Sequence, residues 1–289
     1  MHIVTGATGF IGSNLVAHLN NQGHSNVLLV DTLTMDKTKN LAGLQFEDLI
    51  SPIELLDIQI DRSDIVWHMG ANSSTKETDW EKIYSSNVDY TRQLLGKCNT
   101  MVFASSASVY GDNVDTQENY INEAPKNLYA SSKLICDNIF RNTVDCKIQS
   151  WRFFNVYGSR ESHKQSVGMG SPYTNFIQQA KETGVIKIFE GSDKVQRDFI
   201  CVDDIVHVMY QCVQHDDSFI CNLGTGRTCT FEYWAGIIAS HYNATIEYIP
   251  VPDDLKGIYQ MYTCSDNRQL NTLINHQFKT PGQYVEENL

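Results

Sequence analysis

Tyr129 and Lys133 lie four residues apart at the head of an apolar-periodic stretch, so on a helix they share one face, a turn apart. A free phenol, with a pKa near about 10, is a poor base at neutral pH. A neighbouring ammonium and a cationic ring both favour the phenolate and lower that value. The pair therefore suits taking a proton from an alcohol while hydride leaves for a nicotinamide. Twenty-three residues before Tyr129 stands Ser106, in the run Ser105-Ser106-Ala107-Ser108-Val109-Tyr110-Gly111 that follows the strand-like segment 101–104. Its hydroxyl could hold the reacting oxygen. At the other end of the chain, Gly6, Gly9 and Gly12 give a G-x-x-G-x-x-G loop. Glycine is needed there for a tight turn, for close approach of a pyrophosphate and for helix-on-strand packing.

These groups need particular elements to hold them. Ile3-Val4-Thr5 reads as a short buried strand running into the glycine loop, and a helix is expected over about 13–20, stopped by Gly23. The first helical N–H groups, with Phe10 and Ile11 among them, then face outward as an anion site. A second strand over 27–30 ends in Asp31, nineteen residues after Gly12, where an acid meets the adenosine ribose hydroxyls. The polar loop that follows begins with Thr32 and sends two opposed signals. Asp31 favours the free 2′-hydroxyl of NAD, whereas Lys37 or Lys39 could neutralise the 2′-phosphate of NADP. A third strand, 65–68, opens into Met69-Gly70-Ala71-Asn72-Ser73, small residues at the strand end where open α/β sheets bind ligands. His68 is read as structural, and Asn87 as the cap of a helix over 88–97.

With 289 residues the chain can bury a large core and a second, smaller lobe. A net charge of −12 argues against a nucleic-acid or anionic-membrane partner, since either would need a basic surface. The eight cysteines include no C-x-x-C pair and read as reduced, buried thiols. No metal site is expected. No apolar run approaches the ~18 residues of a membrane span, and no secretory signal is read before Ile3, so a cytoplasmic protein is expected.

The set Gly6/Gly9/Gly12, Asp31, Asn87, Ser106 and Tyr129/Lys133 resembles the extended short-chain dehydrogenase/reductase superfamily of nucleotide-sugar epimerases and dehydratases. The later runs 152–164, Phe189-Glu190-Gly191-Ser192, Arg197-Asp198-Phe199, 222–227, 246–250 and 255–260 are similar to the ADP-L-glycero-D-manno-heptose 6-epimerase family. The resemblance runs nearly end to end. It implies an α/β fold, a Rossmann-type doubly wound parallel sheet over 1–157 with a returning segment 199–222. A smaller substrate-binding lobe would come from 158–198 and 223–289. It also implies tightly bound NADP (NAD possible), an ADP-linked sugar substrate on the route to lipopolysaccharide core heptose, and a homo-oligomer, a pentamer in the family.

The same resemblance assigns roles. Tyr129 becomes one acid/base, Lys133 the residue that tunes it and holds the nicotinamide ribose, and Ser106 the partner of the reacting oxygen. Inverting a carbon outside the sugar ring gives the intermediate two poses, and Lys164 would be the second acid/base, provided burial or charge lowers its pKa. The match places Asn87, Val156 and Lys164 with the cofactor. It places Asn155, Ser166, Asn175, Phe189, Glu190, Gly191, Ser192, Arg197 and Tyr259 around the substrate. Ser171-Pro172 is a good helix start whose N-terminus could face the substrate diphosphate, with Arg197 adding donors. Asn175 stands where the family often carries histidine, and Met69 where it carries an acid. Other readings are a UDP-hexose 4-epimerase or an NADP-binding sensor without catalysis. A 4,6-dehydratase fits less well, because Ala107-Ser108 follow Ser106 where those enzymes place acids.

Overall fold

The structure is a computed structural model, and it describes residues 1–167, 169–252 and 260–289, with the side chains of 166 and 167 left aside. Seven parallel strands form the central sheet: β1 (His2–Thr5), β2 (Val27–Val30), β3 (Asp48–Ile50), β4 (Ile65–His68), β5 (Thr100–Ser106), β6 (Lys147–Phe153) and, much later in the chain, Phe219–Leu223. After β6 come β7 (Asn155–Tyr157), β8 (Val185–Phe189) and β9 (Gln196–Cys201), so the late central strand is β10. The order across the sheet is β10-β6-β5-β4-β1-β2-β3. Strand order therefore reverses between β1 and β4, and the carboxyl ends of strands on either side of such a point bound a crevice.

A parallel sheet is covered on both faces, and alternate residues show which face each serves. Val4, Leu29, Trp67 and Val102 are buried with the helices Phe10–Asn21 and Val202–Cys212. Their neighbours Ile3, Leu28, Val66, Met101 and Phe103 are buried on the other face with the helices Pro52–Asp57, Tyr90–Leu95 and Leu128–Phe140. Apolar residues on both faces explain why these strands read as continuous runs rather than alternations. The fold class is the expected doubly wound one.

The smaller part has its own core. Tyr157, Tyr173, Phe176, Phe199, Trp234 and Tyr284 pack together, with the Tyr157 and Trp234 ring centroids 4.7 Å apart. Here β9 pairs with β7, with β11 (Thr228–Thr230) and with β13 (Tyr262–Thr263), while β8 pairs with β12 (Thr245–Ile249). The stretch from Phe199 does not re-enter the main sheet at once, as its apolar pattern suggested. It completes β9 in the smaller sheet, and only β10 returns. Two boundaries also shift. The first helix starts at Phe10, directly behind Gly9. Asn87 caps nothing: helix begins at Trp80 behind the cap Asp79, and Asn87 sits inside its π-helical stretch Tyr84–Asp89. No helix among the described residues is long and apolar enough to cross a membrane.

Candidate active site

The glycine loop lies at the switch point. Gly6 has a φ of +63°, and a Cβ there would fall 2.6 Å from Gly70 Cα. A Cβ on Gly12 would fall 2.1 Å from the Gly6 carbonyl oxygen, so only glycine lets the helix Phe10–Asn21 seat this closely. Gly9 brings no side-chain cap, which leaves the first-turn N–H groups open beside Phe10 and Ile11. This cradle is shaped for a pyrophosphate.

Asp31, at the end of β2, is held by protein donors. One carboxylate oxygen accepts from the Thr8 N–H at 3.0 Å and the Thr8 hydroxyl at 2.6 Å. The other accepts from the Thr32 N–H and from Lys37 Nζ at 3.2 Å. Lys37, not Lys39, thus makes the ion pair, and Lys39 is exposed. His163, from a distant loop, is held below its ordinary pKa by burial and by Lys164, Lys37 and Lys39. A concentration of positive charge therefore stands beside Asp31.

At the end of β4, Gly70 packs on Gly6, and its N–H donates to Thr5 Oγ1 at 3.1 Å. The half-exposed loop Met69-Gly70-Ala71-Asn72-Ser73 is fixed by buried Asn87. That amide accepts from the Asn72 N–H at 2.8 Å and donates to the Asn72 carbonyl at 3.0 Å and to Ser132 at 2.9 Å. A π-helical stretch at this point turns Asn87 toward the loop.

Tyr129, Lys133 and Ser106 come together. Asn127 caps the helix Leu128–Phe140 by accepting from the Ala130 N–H, and the helix sets Tyr129 and Lys133 on one face. Ser106, which closes β5 and accepts from the Ser108 hydroxyl at 2.9 Å, stands near enough to Tyr129 to act on its hydroxyl. Burial raises the Tyr129 pKa, and the Ser106 hydroxyl opposes the rise. Lys133 is 2% exposed, its Nζ 4.4 Å from the Phe103 ring centroid and 5.9 Å from that of Tyr129. Burial pushes its ammonium down to about 8. Such a lysine readily exchanges a proton near neutrality.

Lys164 lies in the 3-10 turn Ser162–Val167, its Nζ 4.9 Å from the centroid of the Phe10 ring at the glycine loop. Burial lowers its pKa, and Glu161 opposes that. Val156 is on β7, beside Asn155, whose amide donates to the Asp198 carbonyl at 2.9 Å. Phe189 ends β8, Glu190 and Gly191 turn the chain, and Ser192 is buried where its N–H returns to Phe189. Arg197 donates to the main-chain carbonyls of Gln196 and Gln260. Asn175 donates to the Gly170 carbonyl at 2.7 Å and shapes that loop. Tyr259 and the side chain of Ser166 lie outside the described residues.

One expectation is overturned. The N-terminus of the helix Pro172–Thr183 is filled by Glu161, whose carboxylate accepts from the Ser171 N–H at 3.0 Å and from the Ser171 and Thr174 hydroxyls at 2.6 Å each. A buried internal carboxyl group takes the place expected for a diphosphate. Sequence reading also missed Thr8, Asn40 and Glu161. Asn40 is 2% exposed and donates to the Thr8 carbonyl at 3.0 Å and to the Arg160 carbonyl at 3.2 Å. For Glu161, its place ten residues before a Ser-Pro helix start was the available signal.

The model of the NAD dependent epimerase/dehydratase family matches residues 2–224. A protein of Alkalilimnicola ehrlichii named ADP-L-glycero-D-manno-heptose-6-epimerase is 40% identical, over 93% of this chain and 90% of its own. Among solved structures, the Helicobacter pylori protein of the same name superposes with a TM-score of 0.86 at 23% identity, covering 99% of this chain and 94% of that one. The UDP-glucose 4-epimerase of Thermotoga maritima, solved with UDP-glucose, gives 0.80 at 22% identity, with 99% of each chain covered. Those two likenesses speak for the fold. With the family model over most of its length and a 40% identical relative over nearly all of it, the chain belongs to the NAD dependent epimerase/dehydratase family and, within it, to the ADP-L-glycero-D-manno-heptose-6-epimerases.

Proposed function

We propose that this protein interconverts ADP-D-glycero-D-manno-heptose and ADP-L-glycero-D-manno-heptose, inverting C6 with NADP held at the glycine loop. The observation that carries the reading is Tyr129 and buried Lys133 on one helix face beside Ser106 at the carboxyl end of β5, one strand from the sheet's switch point. The Cβ-free cradle of Gly6, Gly9 and Gly12 fits a dinucleotide's pyrophosphate. When bound, the nicotinamide would supply reversible hydride transfer at the sugar carbon. The chain's own residues do the rest.

Tyr129 exchanges the proton of the C6 hydroxyl in one pose. Ser106 donates to the same oxygen as charge develops on it. Lys133, when protonated, favours the phenolate form of Tyr129 by its charge. In the opposite pose Lys164 takes the acid/base role, and burial, which lowers its pKa, makes its ammonium a better acid than a free lysine. NADP is favoured over NAD because Asp31 is already neutralised by Lys37 and satisfied by Thr8. A 2′-phosphate would then meet Lys37, Lys39 and His163 rather than a bare carboxylate. The assignments of Asn155, Phe189–Ser192 and Arg197 to the sugar nucleotide, a homo-oligomeric assembly and a cytoplasmic location belong to the same proposal.

The test is to incubate purified protein, without added cofactor, with ADP-D-glycero-D-manno-heptose and follow the C6 epimers by NMR, with UDP-glucose in parallel. Released nucleotide is identified by mass. Interconversion of the heptose with NADP recovered is the expected result. Turnover of UDP-glucose alone would move the assignment to a hexose epimerase.

A further inference from the structure

Lys164 owes its position to contacts far from any reacting atom. The strap that carries it, Ser159 to Lys164, leaves β7 through Gly158 and Arg160, both at positive φ, +146° and +63°. Arg160 is not glycine, so this backbone persists only because its surroundings hold it. Two asparagines do so. Asn14, on the first helix, donates to the Ser159 carbonyl at 2.9 Å and accepts from the Ser159 hydroxyl at 3.0 Å. Asn40, buried behind the Asp31 loop, bridges the Thr8 and Arg160 carbonyls. Its own carbonyl accepts from Arg160 Nη1 at 2.5 Å, and Arg160 Nη2 reaches the Ala42 carbonyl at 3.3 Å. His163 Nδ1 lies 3.2 Å from the Asn40 amide nitrogen.

We infer that Asn40 is a positioning residue for the epimerisation: it ties the glycine loop, through Thr8, to the strap, through Arg160 and His163, and so sets where the Lys164 ammonium stands over Phe10. The inference rests on the reading of Lys164 as the second acid/base.

One end of the latch is Thr8, which also donates twice to Asp31. The other end is one residue from Lys164. The adenosine end of the cofactor site and the second acid/base are thereby one hydrogen-bonded unit, although they are more than 120 residues apart in sequence. The strap is pinned separately at its start, by Asn14 on Ser159, and in its middle, by Glu161 on Ser171. With these anchors in place, Lys164 has little freedom along the strap. Loss of the Asn40 end releases only the side nearest the cofactor. A displacement of about 1 Å at a reacting group is enough to cost on the order of 10²-fold in rate.

The experiment is a double-mutant cycle on the full chain with its retained cofactor. Lys164→Ala, Asn40→Ala and the pair are assayed for kcat and KM on the ADP-heptose. Asn40→Ala is expected to lower kcat about 10²-fold with KM changed less than about twofold. Added to Lys164→Ala it should cost almost nothing further, because the residue it positions is already gone. A merely structural role would instead give additive losses, and that result overturns the inference. If Lys164→Ala keeps wild-type kcat, the second acid/base reading itself falls and the inference with it, an outcome distinct from additivity. Should Asn40→Ala not fold, Arg160→Gly enters through the same latch: it relieves the positive φ, removes the guanidinium bonds, and is expected to show the same non-additivity. Additive losses for that variant would likewise overturn the inference.

Discussion

Tyr129 can act because Ser106 stands beside it and Lys133 Nζ lies 5.9 Å from its ring centroid, and the substitution Tyr129→Phe removes one oxygen and little else. A general acid/base contributes about 10² to 10⁴ in rate, and kcat should fall by that factor while the nucleotide recovered by mass is unchanged. An undiminished rate would remove Tyr129 from the chemistry. Beside Asp31 the decisive residue is Lys37. Lys37→Ala withdraws a cation and also exposes the Asp31 carboxylate to a 2′-phosphate. The ratio of NADP to NAD affinity, measured by titration of cofactor-stripped protein, should fall at least about tenfold. An unchanged ratio would place cofactor choice elsewhere. The Tyr/Lys pair was legible in sequence because both residues lie on one helix, where spacing alone decides the face. Lys37 and Lys39 could not be separated, since two residues in a loop carry no period. Asn40 and Arg160, 120 positions apart, gave no local pattern at all.

At the scale of elements, the readable features were those fixed by local rules: a strand that ends in glycine, a Ser-Pro helix start, an acid at the end of β2. What escaped were the anchors between elements. The serine and proline before Tyr173 announce a helix, and they do so correctly. Nothing in them says that Glu161 fills the N-terminus. Glu161→Ala would leave the Ser171 N–H and two hydroxyls without their acceptor in a buried place. Lost acceptors of this kind cost about 3 kcal/mol together, or roughly 5 °C in melting temperature for a chain of this size. Glu161→Gln keeps one carbonyl acceptor and should lose about half as much. Equal melting temperatures for all three proteins would show that the carboxylate is not what holds this helix. The same limit explains Asn87: a polar residue before an apolar period looks like a cap, and only the neighbouring loop at Asn72 reveals its use.

Across the whole molecule, the sheet's centre is tied together by a ring that must stay neutral. Thr91 gives its hydroxyl proton to the Asn87 carbonyl at 2.6 Å, so it accepts from His68 Nε2 at 2.9 Å. Thr5 accepts from the Gly70 N–H, so it donates to His68 Nδ1 at 2.6 Å. A second proton on the ring would set two donors against each other in a site 1% exposed. Burial, aided by the Lys133 charge, accordingly pushes His68 down to about 3. A histidine with a depressed native pKa binds fewer protons folded than unfolded, so its contribution is fully present above about 6.5 and is lost as pH falls toward the native value. Buried carboxyls held above their ordinary range, such as Asp198 and Glu118, act in the opposite sense over part of that window, so the total slope is a balance. The difference between two proteins isolates one group. His68→Gln retains a donor and an acceptor but cannot titrate. Its urea-unfolding free energy should be lower at pH 7 yet fall less steeply between pH 6 and 4, by up to about 1.4 kcal/mol per unit. Parallel slopes would mean that the proton enters elsewhere, and that the Thr5–His68–Thr91 chain joining β1, β4 and the helix behind them survives protonation.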